Sequence, residues 1–435
     1  MDVSPSLLTD RYELTMLTSF VTEGSAHHPA VFEAFARNLP EGRRYGVIGG
    51  LARLLPMIEA FTFGDAEVDW LLAEGVVNEA TAAYLRDFRF SGDIDAYPEG
   101  DLYFPGSPVL SVSGTLGECV ILETLVLSVL NHDSAIASAA ARMVIAAGDR
   151  PLVEMGSRRT HEVAAVAVAR AAYVAGFASS SNLAAGRLYG VPTVGTAAHA
   201  FTLAHDSEID AFRSQVAAQG VGTTLLVDTY DTRQGIRNAV SVAGTSLGAI
   251  RIDSGDLADA SAQARALLDD LGATRTRIIV TSDLDEFVIA ALADAPIDGY
   301  GVGTRVATGS GHPTASMVYK LVAVADQVDG PLRPVAKTSP EKLSVGGHKT
   351  AFRTYEDGVL VSEWFRTDGV TDGAPVQVAV IRQGRIVHAP TLDEVRAHCA
   401  AALASLPPTS RSIADGSPYL TVHHVSTTSS EGRVR

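Results

Sequence analysis

The sequence predicts an α/β fold: an irregular parallel α/β barrel, with a second α/β domain formed by the N- and C-terminal parts of the chain. Three observations lead there. From Pro151 onward, β-type runs alternate with helical stretches and Gly or Asp turns. Before about residue 130, and again after Gly346-Gly347, strands and helices mix without that rhythm. Several of the runs after Pro151 end in polar residues, as barrel strands do on the rim where active sites form.

In chain order, the first segment offers strands at Val31–Phe35, Ala96–Tyr97 and Pro108–Gly114, with turns at Pro40–Gly42 and Pro105–Pro108. The barrel strands are expected at Pro151–Met155, Gly176–Ala178, Thr193–Ala197, Thr223–Val227, Ala249–Ile252, Arg277–Thr281 and Gly299–Val302. Met317–Val324 is an eighth candidate, or the start of a connecting segment. Seven or eight such units over about two hundred residues suit a barrel. A doubly wound open sheet is the competing arrangement. Lys349–Arg366 and Val376–Ile386 read as further strands. The expected domains are therefore 1–135, a barrel over 136–345, and a C-terminal segment 346–435 that joins the first domain.

The bulk properties narrow the class. At 435 residues the chain exceeds one ordinary core, and 46% hydrophobic with 19% charged residues suits a well-packed globular protein. A net charge of −16 argues against a generic nucleic-acid or anionic-membrane surface. Cys119 and Cys399 have no metal-ligand spacing, which fits a reducing, cytoplasmic setting. Asp2, Asp10, Arg11 and Glu13 interrupt the first residues, so no signal peptide is expected. The apolar run Cys119–Leu130 contains Glu123 and reads as a buried helix, not a membrane span. The polar tail from Ser426 is expected to fray.

The most informative stretch is 249–257. Ile250 and Ile252 point one way along a strand, Arg251 and Asp253 the other, and Ser254-Gly255-Asp256 then breaks it before a helix from Leu257 to Leu271, closed by Gly272. A strand of a parallel sheet is ordinarily apolar on both faces. Arg251 and Asp253 at its carboxyl end must meet a ligand, a metal or each other. Four other strand ends are similar: Glu154–Arg159, Gly195–His199, Leu225–Asp231 and Thr281–Glu286, with Gly301–Arg305 making a fifth. Each has a plain alternative, such as Ser282 with Asp285 capping a helix. Their coincidence on one rim favours a site. Gly301-x-Gly303-Thr304 and Gly309-Ser310-Gly311 follow the last barrel strand, where glycines let backbone N–H groups approach a phosphate. Asp228 and Asp253 offer hard oxygens to a partly hydrated Mg2+.

Six segments occur together in order: 9–16 (TDRYELTM), 32–35 (FEAF), 154–159 (EMGSRR), 178–182 (ASSSN), 195–199 (GTAAH) and 251–256 (RIDSGD). In combination they resemble the nicotinate phosphoribosyltransferase family of type II phosphoribosyltransferases, from Tyr12 to about Gly347. The resemblance implies an irregular α/β barrel with an α/β domain, in a homodimer with shared active sites. It implies formation of nicotinate mononucleotide and pyrophosphate from nicotinate and phosphoribosyl pyrophosphate, in NAD biosynthesis or salvage, with ATP hydrolysed alongside. It assigns His199 to the histidine phosphorylated by ATP, and Tyr12 to an aromatic residue stacking on the pyridine ring from the partner subunit. Arg158 and Arg159 fall where substrate anions are handled, and Arg251 lies against the ring and ribose. Asp228 and Asp253 match carboxylates around magnesium and ribose, Asp253 being catalytic. Ser254, Gly255, Gly301, Gly303 and Thr304 complete the expected substrate-binding set. The resemblance also implies that the stretch Phe177-Ala178-Ser179 varies within the family.

The chemistry of the reaction asks for the same residue types. Loss of pyrophosphate from an anomeric carbon needs cations on the leaving group and a carboxylate near the sugar. The two-acid, Thr-Gly-Gly loop of type I phosphoribosyltransferases is absent. The alternatives are a nicotinamide or quinolinate phosphoribosyltransferase, a barrel lyase using Lys320 as a Schiff base, and a non-catalytic pyridine-nucleotide sensor.

Overall fold

A computed structural model describes residues 4–337, 345–370 and 373–425. The tail from Ser426 lies outside the described residues. The chain divides into two compact units, Ala139–Gly311 and a discontinuous one made of Met1–Ser138 with His312–Arg435.

The continuous unit is built on a six-stranded parallel sheet. Its order is Ser179–Ser180, Leu152–Glu154, Gly299–Val302, Arg277–Ser282, Ala249–Ile252, Thr224–Leu226. Number these strands one to six along the chain, and the order becomes 2-1-6-5-4-3. The last strand pairs with the first, which is how a barrel closes, whereas a doubly wound sheet reverses direction at a switch point. The fold is thus the expected irregular α/β barrel, an incomplete one, interrupted between its second and third strands.

Two expected strands differ there. Gly176–Ala178 is not a strand: Gly176, at φ +123°, ends the Glu162–Val174 helix, and its N–H donates to Tyr173 O at 3.1 Å. The left-handed conformation is one that glycine adopts without a Cβ penalty. The ladder begins later, at Ser179. Thr193–Ala197 contributes only a Ser180–Thr193 bridge at the open edge. Val194 stays exposed, so the run lacks the second neighbour that would make it a buried strand. The strands at 249–252 and 299–302 have the expected bounds.

Met317–Val324 is a strand, but in the other unit's sheet, which corrects its candidacy as an eighth barrel strand. It pairs antiparallel with Pro29–Ala36, and Phe32 stacks on Tyr319 with centroids 5.0 Å apart. Alternating burial along it marks a half-buried antiparallel strand. The same seven-stranded sheet contains Leu110–Thr115, Asp93–Ala96 and the hairpin Val378–Arg382/Arg385–Ile386. Helices Arg11–Glu23, Leu51–Glu59, Asp65–Ala73 and Glu79–Asp87 contribute to its core, where Phe61, Phe63 and Phe88 meet edge-to-face.

A hairpin of Thr350–Glu356 and Val359–Arg366 forms a smaller sheet with His423–His424. It is tied inward by the buried guanidinium of Arg353, which donates to Asp101 (2.6 Å) and Glu363 (2.8 Å). A helix at Leu392–Ala404, unanticipated above, starts with a capping box between Thr391 and Glu394.

The apolar run at 119–130 belongs to a longer helical stretch, Leu116–Ala147. By length and composition that stretch could cross a membrane, but 67% of its most apolar window is buried within the structure. That burial is the mark of a core helix.

Candidate active site on the barrel rim

Parallel register aligns the strand ends. Ile279 pairs with Arg251, Leu226 with Arg251, and Val302 with both Ser282 and Glu154. The residues just beyond these ends therefore share one rim.

At its centre Asp228, Arg251, Asp253 and His199 converge. The Asp253 N–H donates to Asp228 Oδ2 at 2.7 Å, and the Ser254 hydroxyl donates to the same oxygen at 3.0 Å. Asp228 Oδ1 is buried without a hydrogen-bond partner. Asp253 Oδ1 accepts the Thr281 hydroxyl, which turns Oδ2 towards Arg251 Nη2 (3.5 Å) and His199 Nε2 (3.7 Å). His199 opens the short helix His199–Leu203, and its Nδ1 lies 3.1 Å from Thr229 Oγ1.

Arg251 and Asp253 thus meet, but loosely. The shorter bond from Arg251 runs from Nη1 to Thr196 Oγ1 at 2.5 Å, which ties the 195–198 loop to the strand. Arg251 Nε is buried and unpartnered. Two unsatisfied buried polar atoms in one site are unusual in a folded protein and are explained when a ligand completes them.

The carboxylates fit a hard divalent cation. Mg2+ keeps most of its waters and takes one or two protein carboxylates plus substrate phosphates. Asp228 Oδ1 is free for such a role, with Asp253 beside it. No cluster of three or more His, Cys, Asp or Glu ligands occurs among the described residues.

The remaining residues fall into three groups. Arg158 and Arg159 sit at the end of the Gly156–Arg158 turn with exposed side chains and no carboxylate partner among the described residues. Below them Glu154 is buried; its oxygens accept the Gly156 N–H and the Ser180 hydroxyl, and burial pushes its carboxyl above the usual range. Ser180 in turn accepts the Asn182 N–H at 2.9 Å, and the Asn182 side chain donates to Ser157 at 3.0 Å. This network holds the arginine turn against the neighbouring loop.

Gly255 has φ +87° in the exposed loop after Asp253, with open space around it. Gly303 and Thr304 begin the turn after Val302, and Thr304 is exposed. Gly301 differs from them. It is paired on both sides within its strand, where a Cβ would lie 2.4 Å from Thr281 Cγ2. Its small size serves strand packing against Thr281 and Met155.

Asp285 caps the Glu286–Ala291 helix, accepting N–H bonds from Phe287 and Val288 at 3.0 and 2.9 Å. The capping explanation is therefore right for Asp285. Lys320 belongs to the antiparallel sheet of the other unit, 3.6 Å from Glu123, and is not on a barrel strand. Tyr12 lies in the first turn of Arg11–Glu23, also in the discontinuous unit. Burial, then the Glu123 and Glu13 carboxylates, hold its phenol above the ordinary value, so it is neutral.

The structure adds residues that the strand-end pattern alone did not single out: Thr196, Thr229, Thr281 and Ser180. Each supplies a hydroxyl to one of the charged or titratable groups. The only sequence signal is a hydroxyl residue beside or within a polar strand end.

Residues 7–131 match the nicotinate phosphoribosyltransferase N-terminal domain family. The chain is 57% identical over 428 residues to nicotinate phosphoribosyltransferase pncB1 of Mycobacterium tuberculosis, covering 95% of this chain and 94% of the relative. It is 39% identical over 363 residues to nicotinate phosphoribosyltransferase of Bacillus subtilis, covering 81% and 74%. The crystal structure of human nicotinic acid phosphoribosyltransferase superposes with a TM-score of 0.78 at 26% identity, covering 95% of this chain and 97% of that one.

Proposed function

The chain belongs to the nicotinate phosphoribosyltransferase family, and we propose that it joins nicotinate to phosphoribosyl pyrophosphate in NAD biosynthesis, with ATP hydrolysed through His199. The observation that carries this reading is the convergence of His199, Asp253, Asp228 and Arg251 on one rim, with Asp228 Oδ1 and Arg251 Nε unpartnered.

In transfer, the pyridine nitrogen forms a bond to the anomeric carbon while the carbon–oxygen bond to pyrophosphate breaks, and pyrophosphate leaves with the electron pair. Asp253 is the carboxylate that would stabilise the positive charge developing on the ribose. Asp228 and Asp253 would hold Mg2+, which when bound supplies positive charge to the leaving pyrophosphate. Arg251, braced by Thr196, offers a guanidinium face to the pyridine ring. The backbone at Gly255, Gly303 and Thr304, with the Ser254 hydroxyl, serves the phosphate and ribose.

In coupling, a ring nitrogen of His199 attacks the γ-phosphorus of ATP, and ADP departs with the electrons of the broken P–O bond. Water later cleaves the N–P bond and releases phosphate. Two buried, unpaired cysteines fit the cytoplasmic setting.

The test is incubation with phosphoribosyl pyrophosphate and magnesium and each of nicotinate, nicotinamide and quinolinate, with and without ATP, reading mononucleotide formed. Nicotinate alone should be used efficiently, and faster with ATP. Preference for either other pyridine, or no turnover, overturns the reading and favours one of the alternatives named above. In the same assay Arg158→Ala or Arg159→Ala should raise the nicotinate KM about 10- to 100-fold. A guanidinium pairs with a carboxylate through charge-assisted bonds that an amide cannot return. An unchanged nicotinate KM in both variants would take these residues out of the pyridine pocket.

We further propose that the protein works as a homodimer in which the partner subunit's Tyr12 stacks on the bound pyridine. Tyr12 is 45% exposed, with an aromatic face to offer. Mixing Tyr12→Ala chains with Asp253→Ala chains should restore part of the activity, because a heterodimer regains one intact site. No recovery in verified heterodimers would place Tyr12 outside a shared site.

A further inference from the structure

We infer that Thr229 is a positioning residue for His199: its hydroxyl holds ring nitrogen Nδ1 and keeps the imidazole aimed with Nε2 towards Asp253. The inference rests on the reading of His199 as the phosphate acceptor from ATP.

The two ring nitrogens differ: one is hydrogen-bonded and the other is not. Nε2 faces Asp253 Oδ2 at 3.7 Å, and Nδ1 lies 3.1 Å from Thr229 Oγ1. The carboxylate is held in place by the Thr281 hydroxyl on its other oxygen. Transfer needs a lone pair free to meet the γ-phosphorus: with the single proton of the neutral ring on Nδ1 and donated to the Thr229 oxygen, that lone pair is on Nε2.

Position adds to this. His199 is the first residue of a five-residue helix, and its side chain is 41% exposed, so packing alone leaves the ring free to turn. Thr229 follows Asp228 directly, so one loop carries both the Asp228 carboxylate and the group that fixes the ring. Orientation of this kind is a recognised source of rate.

The experiment uses the full-length protein with Mg2+ and γ-labelled ATP, and follows acid-labile, base-stable phosphate mapped to His199. Three proteins are compared: wild type, Thr229→Val, which removes the hydroxyl at similar volume, and Thr229→Ser, which keeps it. Melting temperatures establish that each variant is folded. The valine variant should label about 10- to 100-fold more slowly, with a KM for ATP within about twofold of wild type. The serine variant should return to within about threefold of the wild-type rate.

Labelling of the valine variant at the wild-type rate overturns the inference. Equal slowing in valine and serine variants also overturns it, because the methyl group and not the hydroxyl would then be responsible. If the wild type takes no label on His199, the underlying reading fails first and this inference falls with it.

Discussion

Replacing His199 with asparagine should abolish phosphate labelling of the protein and lower ATP hydrolysis in the presence of phosphoribosyl pyrophosphate by about three orders of magnitude or more. The reasoning is chemical. An amide nitrogen has no available lone pair, so it cannot attack the γ-phosphorus, yet asparagine still offers an oxygen to the Thr229 hydroxyl that now meets Nδ1. The side chain is partly exposed and lies in a short surface helix, so folding should be little affected, with stability within about 0.5 kcal/mol. Slow transfer without ATP should persist, since pyridine and ribose chemistry does not pass through the imidazole. Tracking both ADP release and mononucleotide formation separates the two activities. Label found on His205, or ATP hydrolysis that survives in the variant, would sink the assignment. His205 is a fair control, because its Nδ1 is already engaged at 2.7 Å by the Phe201 carbonyl within its own turn.

How much of this was legible from residues alone depends on what each pattern encodes. Ala249–Ile252 and Gly299–Val302 were readable because a short β-type run ends at Asp, Ser or Gly, and the parallel ladder follows that run. Gly176 misled because glycine both opens turns and closes helices, and only its contact with Tyr173 distinguishes the two. The extent of Met317–Val324 was right and its sheet was not. A run of apolar residues says where a strand lies, while the partner strand, here Pro29–Ala36, is settled by packing far away in the chain.

The site shows the same division. His199, Asp228, Arg251 and Asp253 stood out because charged or titratable residues at strand ends must be matched by something. Thr196, Thr229 and Thr281 did not, because threonine is an ordinary strand residue. Whether its hydroxyl reaches a carboxylate, an imidazole or a guanidinium depends on register between strands that no local pattern carries. Gly301 carried a packing reason that the sequence did not show: the Thr281 methyl lies 2.4 Å from where its Cβ would be.

Asp253→Asn should reduce kcat/KM for mononucleotide formation about 10³- to 10⁴-fold, roughly 4–5.5 kcal/mol of transition-state stabilisation. The substitution keeps the shape and the backbone N–H that donates to Asp228 at 2.7 Å. What changes is charge and direction. Oδ1 accepts from Thr281, and Oδ2 faces Arg251 and His199, so Thr281 and Arg251 both present donors. An amide NH2 placed among them opposes one of them, and Arg251 loses the negative group beside it. On the proposed function, the carboxylate also balances charge on the ribose as pyrophosphate leaves. Asp228→Asn should behave differently. Its Oδ2 can remain an acceptor for Asp253 and Ser254, while the buried, unpartnered Oδ1 becomes an amide nitrogen that cannot bind a cation. There the larger effect should be on the magnesium concentration needed for half-maximal rate, raised about tenfold or more. Neither variant should melt more than a few degrees below wild type, since each keeps its backbone or hydroxyl partners and removes one of two adjacent negative charges. Measuring kcat/KM across a magnesium titration for both variants separates the roles. Asp253→Asn within about tenfold of wild type at saturating magnesium would remove Asp253 from the chemistry of transfer.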